Sequence, residues 1–254
     1  MSTHTGPREW DADLYDRVSD IQLAWGLEVL ERLPLDGDET VLDAGCGSGR
    51  VTEHLAERVP RGRLLAVDAS DGMVEKARER LGERARVWQA DLAELELEAP
   101  VDAVFSNAVF HWIPDHDALF AHVASGLRPG GRLVAQCGGE GNVAEVTEAI
   151  RDVATEERFG GHLADFEGIW NFASAEKTAE RLSRAGFEEV ETGLEEKLVR
   201  PEEPLFFLRA VTLGPHLARL PEPLQAPFIE AVAERLGDPL EMRYVRLNIS
   251  ARRG

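Results

Sequence analysis

Cysteine is scarce in this sequence of 254 residues, which contains only Cys46 and Cys137. Two cysteines cannot build a disulfide framework, and both stand at the ends of predicted buried strands, so we expect reduced thiols. The first residues, MSTHTGPREW, lack the basic and apolar regions of a secretory signal. No apolar run reaches the roughly 18 residues that a membrane span requires. These absences predict a soluble, cytoplasmic protein.

Basic residues are also few. The 28 lysines and arginines stand against 47 aspartates and glutamates, which gives a formal net charge of −19. Nucleic acids and anionic membranes are bound through basic patches, so we expect neither as a partner. We expect a small-molecule partner, and a monomer or a homodimer. His111, His116 and His122 do not form an HExxH pattern, and we expect no metal site.

Between residues 40 and 138 the sequence alternates short apolar runs with amphipathic runs of ten or so residues. The predicted strands are 40–45, 63–70, 85–91, 101–107 and 132–138, and the predicted helices are 50–59, 71–81 and 115–127. A turn is predicted at RPGG, residues 128–131, before the last of these strands. Strands that alternate with helices indicate βαβ units, so this part predicts a doubly wound parallel sheet.

The flanking segments follow other patterns. Apolar residues at helical spacing predict helix over 11–33, 143–159 and 174–187, whereas 188–199 and 241–253 alternate as strands that could pair antiparallel. Residues 201–236 indicate helices interrupted by prolines. We therefore expect a single domain over 1–254, divided into a helical lid (10–34), a ligand-binding core (38–140), the second half of the sheet (141–200 and 241–254) and an inserted helical cap (201–240).

A glycine-rich turn, DAGCGSG, follows the first predicted strand, and such turns let the backbone approach a ligand closely. Its spacing is not the G-x-G-x-x-G of dinucleotide sites, and Asp43 just before it would repel a pyrophosphate but attract an ammonium group. Asp68 ends the next strand, where a carboxylate can accept both ribose hydroxyls. Asp91 ends the third strand, where it could accept from an adenine amino group. The pattern favours a nucleoside ligand that carries an amino acid.

The motifs VLDAGCGSG, LLAVDAS, QADL, DAVFSNAVFHWIPD and LRPGGRLV, in this order, resemble the class I S-adenosylmethionine-dependent methyltransferases over about residues 38–138. The resemblance implies S-adenosylmethionine as cofactor and a Rossmann-like α/β fold, with a seven-stranded sheet of order 3-2-1-4-5-7-6 whose seventh strand is antiparallel. It also implies a role for each matching position. Asp43, Gly45, Gly47 and Asn107 would lie near the methionine part, Asp68 would hold the ribose, Ala69 and Met73 would pack on the adenine or ribose, and Asp91 with the Leu92 backbone would meet the adenine.

The segments LYDRVSDIQ and FHWIPDH are similar to carboxyl methyltransferases of the trans-aconitate and juvenile hormone acid groups. The second group implies that Gln22, seven residues after Tyr15, and His111 contact the substrate carboxylate. Four aromatic residues could line an apolar acceptor pocket, and they are Trp112, Trp170, Phe206 and Phe207. Trp112 would form one wall of this pocket. We therefore expect an O-methyltransferase that forms the methyl ester of a small, partly apolar carboxylic acid.

Two other functions remain open from the sequence. The acceptor could be a hydroxyl or a carbon of a natural product, with His111 as the general base. Alternatively, the chain could bind the cofactor without catalysis, as a sensor or a partner subunit whose cap docks another protein.

Overall fold

The structure is a computed structural model that describes residues 20–164, 166, 168 and 170–254. Its strands are β1 (Thr40–Ala44), β2 (Arg63–Asp68), β3 (Arg86–Gln89), β4 (Val101–Asn107), β5 (Leu127–Gly138), β6 (Phe187–Val199) and β7 (Met242–Arg253). They form one sheet in the order β3-β2-β1-β4-β5-β7-β6. The neighbours from β3 to β5 pair in parallel, whereas β7 is antiparallel to β5 and β6. The predicted Rossmann-like sheet, with its order and its antiparallel seventh strand, is confirmed.

Three of the described helices begin at a side chain that caps them. The helices in the described ranges are α1 (Asp20–Leu30), α2 (Arg50–Arg58), α3 (Asp71–Leu81), α4 (His116–Gly126), α5 (Ala144–Ala154), α6 (Glu157–Leu163), α7 (Ala175–Arg184), α8 (Pro204–Phe207), α9 (Gly214–Leu217) and α10 (Glu222–Leu236). Ser70, Asp115 and Ser174 precede α3, α4 and α7, and each side-chain oxygen accepts a backbone N–H of the first turn. These bonds satisfy donors that have no partner within a helix. No helix in the described ranges is long and apolar enough to cross a membrane.

Helix α1 packs against the face of the sheet that β1, β4 and β5 share. Val29 is fully buried there among apolar residues of those strands. Gly26 allows the close approach, because a β-carbon at this position would lie 2.9 Å from Asn107 Nδ2 at the end of β4 and 2.5 Å from a methyl carbon of Val51 in α2. The predicted lid over 10–34 is therefore helical from Asp20 to Leu30, and its first part, with Tyr15, lies outside the described residues.

Two predicted boundaries are wrong. The turn predicted at 128–131 is a bulge within β5, because the pairing with β4 shifts from Val101–Leu127 to Ala103–Arg132. β5 thus begins at Leu127, with the Arg128 guanidinium 2.8 Å from the Asp102 carboxylate across the bulge. The helix predicted over 143–159 is two helices, because Glu156 takes an extended conformation between α5 and α6.

Residues 204–236, the greater part of the predicted cap, form α8, a five-residue π-helix (Leu208–Thr212), α9 and α10. They share one apolar cluster with α5, α6 and Trp25 of α1. Within it the rings of Phe159 and Phe228 meet edge to face, with their centroids 5.1 Å apart. The cluster brings the cap next to the helix that carries Gln22. The division into lid, core and cap stays a prediction.

Candidate active site

The carboxyl ends of β1, β2, β4 and β5 meet at one edge of the sheet. Open parallel sheets bind ligands at this edge, where loops leave the strands. Most of the residues that the sequence singles out lie there. In the described part of the chain, no group of three His, Cys, Asp or Glu side chains is arranged to hold a metal ion.

The glycine turn after β1 uses conformations that favour glycine. Gly45 and Gly47 have φ angles of 86° and 54°. A β-carbon on Gly45 would lie 2.2 Å from a methyl carbon of Val109, because the loop after β4 packs directly on the turn. A β-carbon on Gly47 would meet no atom within 4 Å, so the backbone there borders open space. The turn therefore presents a bare backbone surface at Gly47, as a close-fitting ligand requires.

The Asp68 carboxylate, at the end of β2, links this turn to the start of α3. Its Oδ2 accepts the Gly47 N–H and its Oδ1 accepts the Ser70 N–H, both at 2.9 Å. Met73 is buried in the first turn of α3 and donates its backbone N–H to the Ser70 hydroxyl. Ala69, which precedes Ser70, accepts a hydrogen bond from the Gln89 side chain.

Asp91 and Leu92 follow β3, which ends at Gln89, two residues before the predicted end at Asp91. The Asp91 side chain is exposed, and its Oδ1 accepts the Ala93 N–H at 2.9 Å. Leu92 is buried in the apolar cluster beneath β2 and β4. The Asp91 carboxylate therefore faces solvent, and the buried Leu92 side chain anchors its backbone beside the end of β2.

Asp43 is more deeply buried than the sequence suggests. Its side chain is 2% exposed, and Oδ2 accepts a hydrogen bond of 2.7 Å from the Thr52 hydroxyl. Burial raises the pKa of Asp43 to about 7; the Thr52 hydrogen bond opposes this rise and the nearby charge of Asp68 adds to it. The Asp43 carboxyl group thus connects the strand before the glycine turn to α2 through Thr52. Its expected contact with an ammonium group stays a prediction.

Gln22 and Asn107, which lie 85 positions apart, are brought together by the packing of α1 on β4. Asn107 Nδ2 donates to the Gln22 backbone carbonyl at 3.3 Å. In the described part of the chain, Asn107 Oδ1 and Gln22 Oε1 are buried oxygens without a hydrogen-bond partner. Leaving a buried acceptor unsatisfied costs about 1–3 kcal/mol. A bound molecule with hydrogen-bond donors would therefore satisfy these two amide oxygens.

His111 lies in a short 3₁₀ turn (Phe110–Trp112) after β4, and the chain reaches this turn through Ala108, whose φ is +62°. The His111 ring is 7% exposed, and its Nδ1 accepts the Gly138 N–H at 3.3 Å. On the far side of the turn, His116 Nε2 bonds to the Phe110 carbonyl at 2.9 Å. The His111 ring is therefore fixed between the ends of β4 and β5.

Aromatic rings extend from His111 towards the cap. The Phe172 ring stacks on His111 with a centroid distance of 5.7 Å, and Trp170 stacks on Phe172 at 5.5 Å. Trp112 lies beside His111 at 4.9 Å and beside Trp170 at 6.1 Å. Trp112 and Trp170 thus lie in one aromatic cluster with His111, and contact of these rings with an acceptor stays a prediction.

Phe206 and Phe207 lie farther along, in α8. Phe207 is buried in the apolar cluster of the cap, whereas Phe206 is half-buried. The structure gives Phe207 the surroundings of a core residue, and contact of either ring with a ligand stays a prediction.

One buried arginine is not predicted from the sequence. Arg246 is in β7, is 3% exposed, and places its guanidinium 5.0 Å from the centre of the Trp25 ring. The alternation of residues 241–253 predicts a polar face and an apolar face, and the polar face of a strand near the sheet edge is usually solvated. The signal that could have pointed to Arg246 is the predicted sheet order, which places β7 between two strands rather than at the sheet edge.

Comparison with known proteins is consistent with this geometry. Residues 41–131 match the family described as a methyltransferase domain. A trans-aconitate 2-methyltransferase of Methylobacterium nodulans is 40% identical over 157 residues, and one of an Azoarcus species is 42% identical over 127 residues. The matches cover 61% and 50% of this chain, and the chain spans only 60% and 50% of those relatives.

Solved structures agree on the fold. The YcgJ protein from Bacillus subtilis superposes with a TM-score of 0.65 at 17% identity, covering 92% of this chain and 98% of that one. A Haemonchus contortus phosphoethanolamine N-methyltransferase 2 in complex with S-adenosyl-L-methionine gives a TM-score of 0.62 at 19% identity, covering 96% of this chain and 57% of that one. At these identities the likeness shows the fold alone. Together, the comparisons confirm the methyltransferase resemblance predicted over residues 38–138.

Proposed function

We propose that this protein, whose residues 41–131 match a methyltransferase domain, transfers a methyl group from S-adenosylmethionine to the carboxylate of a small, partly apolar carboxylic acid, and so forms a methyl ester. The curated relatives carry a name in which the acceptor is trans-aconitate, a carboxylic acid. That name supports the acceptor class and does not identify the acceptor of this chain.

The glycine-turn side of the site fits the cofactor. The bare backbone at Gly47 and the carboxylate of Asp68 suit a ribose and its attached chain, and Ala69, Met73, Asp91 and Leu92 would surround the adenine. Asn107 Oδ1 is a buried acceptor that suits the ammonium of the methionine part, with Asp43, Gly45 and Gly47 close by. When bound, S-adenosylmethionine supplies a methyl group on a cationic sulfur. A carboxylate is already ionised at neutral pH, so its oxygen can attack the methyl carbon and displace the sulfur without first losing a proton.

The observation that carries the acceptor assignment is the hydrogen bond between Gly138 N–H and His111 Nδ1. A neutral imidazole has one protonated and one unprotonated nitrogen, and the unprotonated one accepts. Since Nδ1 accepts, the proton of neutral His111 is on Nε2, which makes Nε2 a donor. A donor held in place by the backbone is suited to bind and orient a carboxylate oxygen, and most of the rate gain in such a displacement comes from positioning.

The same tautomer argues against a general base at this position. To take a proton from a hydroxyl, Nε2 would have to be unprotonated in the ground state. The proton would then be on Nδ1, facing the Gly138 N–H, and two donors would oppose each other. A hydroxyl or carbon acceptor therefore fits the site less well than a carboxylate.

Gln22 and the aromatic wall complete the proposed acceptor site. Gln22 is buried beside Asn107, and we place its Nε2 as the donor to the second carboxylate oxygen, while its Oε1 would accept from a donor on the bound cofactor. The rings of Trp112, Trp170 and Phe172 would cover an apolar part of the acid, because flat aromatic faces bury large areas at low entropic cost. Phe206 and Phe207 would extend this surface towards the cap.

The test is methylation of an acid panel by the purified protein with methyl-labelled S-adenosylmethionine. Short aliphatic, unsaturated and branched acids would be offered beside amines, phenols and alcohols of similar size. We expect label in a product that alkali hydrolyses, as for a methyl ester, and no label with the matched alcohols. Label that resists alkali, in an amine, an ether or a carbon product, would refute the carboxylate assignment.

A further inference from the structure

Residues 170–172 lie beside the 3₁₀ turn that carries His111, and Asn171 fastens them to it. The Asn171 backbone N–H donates to the His111 carbonyl at 2.8 Å. Its side-chain Nδ2 donates to the Pro114 carbonyl at 2.9 Å and to the Ile113 carbonyl at 3.4 Å. An asparagine amide has two N–H donors, so one side chain can serve both carbonyls. Asn171 thus joins this segment to the turn and the chain just after it through three hydrogen bonds.

Asn171 also sets the place of the next residue, Phe172, whose ring lies on the His111 side of the segment. The planes of the Phe172 and His111 rings are 28° apart, with their centroids 5.7 Å from each other. A β-carbon on Gly138 would lie 2.6 Å from Phe172 Cε1, so the absence of a side chain at Gly138 makes room for this ring. The Phe172 ring therefore packs on both the donor and the acceptor of the hydrogen bond from Gly138 N–H to His111 Nδ1.

This hydrogen bond depends on its surroundings. At 3.3 Å it is long, and water that reached either partner would compete with it. An apolar ring over both partners keeps water away and lowers the local dielectric constant, which strengthens the bond. The bond made by one nitrogen of a neutral histidine decides which nitrogen carries the proton. The ring of Phe172 therefore favours an unprotonated Nδ1 and a protonated Nε2 in His111.

We propose that Asn171 is a positioning residue, whose side chain holds Phe172 over the bond between Gly138 and His111 and so keeps His111 in the tautomer that donates from Nε2. The inference rests on the proposed function, in which that donor binds the carboxylate of the acceptor. Asn171 acts through Phe172 and the turn, and it needs no contact with the acceptor itself. When its side chain no longer donates to the two carbonyls, the ring moves off the bond, water enters, and the two tautomers of His111 mix.

The first measurement is ¹⁵N NMR of the histidine rings at pH ~8, where an ordinary histidine is neutral, without an acceptor present. The His111 signals are those missing from His111→Gln among the seven histidines. The variants are Asn171→Leu, which removes both donors, and Asn171→Asp, which turns an oxygen towards the carbonyls. The matched control is Gln225→Leu, because the half-buried Gln225 amide also donates to two backbone carbonyls, those of Leu217 and Leu220 in the cap.

In the wild type we expect the ¹⁵N shifts of an unprotonated Nδ1 and a protonated Nε2 for His111. In both Asn171 variants the two shifts should move towards each other, whereas Gln225→Leu should keep the wild-type shifts. Melting curves identify the variants that fold, and Asn171→Leu decides if Asn171→Asp does not fold. Wild-type His111 shifts in a folded Asn171 variant would show that the side chain has a structural role alone, and would overturn the proposal.

Steady-state kinetics with an accepted acid is the second measurement. For Asn171→Leu we expect KM for the acid to rise about tenfold while kcat stays within about threefold, because the donor that binds the carboxylate is present only part of the time. Affinity for S-adenosylhomocysteine should stay within about threefold in both variants. Altered His111 shifts without ester formation from any acid, even by the wild type, would refute the proposed reaction and leave the positioning role of Asn171 standing.

Discussion

The backbone N–H of Gly138 donates to Nδ1 of His111 at 3.3 Å, which joins the end of β5 to the turn after β4. This bond makes the histidine a donor at Nε2 rather than an acceptor. The ring is held further by the stacked Phe172, and the turn by the bond between His116 and the Phe110 carbonyl. The burial of His116 lowers its pKa, so this second imidazole stays neutral and keeps its bond through the neutral range of pH.

Two substitutions at His111 separate binding from proton transfer. Glutamine can place an amide donor near the position of Nε2, whereas asparagine can replace only the acceptor at Nδ1. We expect His111→Gln to keep kcat/KM within about tenfold, and His111→Asn to lose about 10- to 100-fold, mainly through KM. Steady-state kinetics with an acid accepted by the wild type would measure both.

A general base would behave differently. Both variants would then lose at least about 100-fold in kcat, and the loss would change the pH profile of kcat. A flat pH profile of kcat in the wild type, above the pKa of the acid substrate, is the companion observation that we expect.

Gln22 offers a test of charge at the acceptor. Gln22→Glu would place a carboxylate beside the bound carboxylate, and Gln22→Met removes the amide at nearly the same length. We expect KM for the acid to rise about tenfold for methionine and at least about 100-fold for glutamate, because like charges add repulsion to the lost hydrogen bond. Affinity for S-adenosylhomocysteine, measured by calorimetry, should change little in either. If the glutamate variant instead bound the acid as well as the wild type, Gln22 would not contact the carboxylate.

The close approach of α1 to the sheet can be tested at Gly26. A β-carbon there would lie 2.5 Å from Val51 and 2.9 Å from Asn107 Nδ2, so Gly26→Ala should push the helix away from the Asn107 side chain. We expect a loss of about 1–3 kcal/mol in the free energy of unfolding, together with a raised KM. Gly161→Ala is the control, because a β-carbon on Gly161, in helix α6, would meet no atom within 4 Å. Chemical denaturation would compare the two, and equal effects would contradict the packing argument.

The sequence alone predicts the features that local patterns determine, which are the alternating strands and helices and the acids at the strand ends. Alternating strands and helices predicted a doubly wound parallel sheet, the resemblance to methyltransferases supplied its strand order, and the acids at the strand ends indicated the edge where the site lies. The meeting of Gln22 with Asn107 could not be predicted from spacing, because it depends on how α1 crosses β4. The resemblance to carboxyl methyltransferases placed Gln22 with His111 at the acceptor and did not predict its contact with Asn107.

The errors have physical causes as well. The RPGG turn is accommodated inside β5, because a bulge can absorb extra residues without ending the pairing. Arg246 escaped notice because strand alternation does not tell a solvated polar face from one that a helix covers. The position of Asp43 before the glycine turn predicts a carboxylate that attracts an ammonium group. Its depth of burial depends on α2 and Thr52, and no local sequence pattern predicts that packing.

The buried carboxyl of Asp43 makes stability depend on pH in an unusual direction. Its folded-state pKa is raised to about 7, above the value of about 4 expected in the unfolded chain. Between these values the unfolded chain loses the proton while the folded protein keeps it, so the free energy of unfolding falls as pH rises through this window. Asp43→Asn stays neutral and can still accept from Thr52. Relative to wild type, we expect it to be more stable by a few kcal/mol above neutral pH and about equally stable near pH ~4. Urea unfolding of both proteins across this range, without cofactor, measures the difference, and a difference that does not vary with pH would show that Asp43 titrates normally.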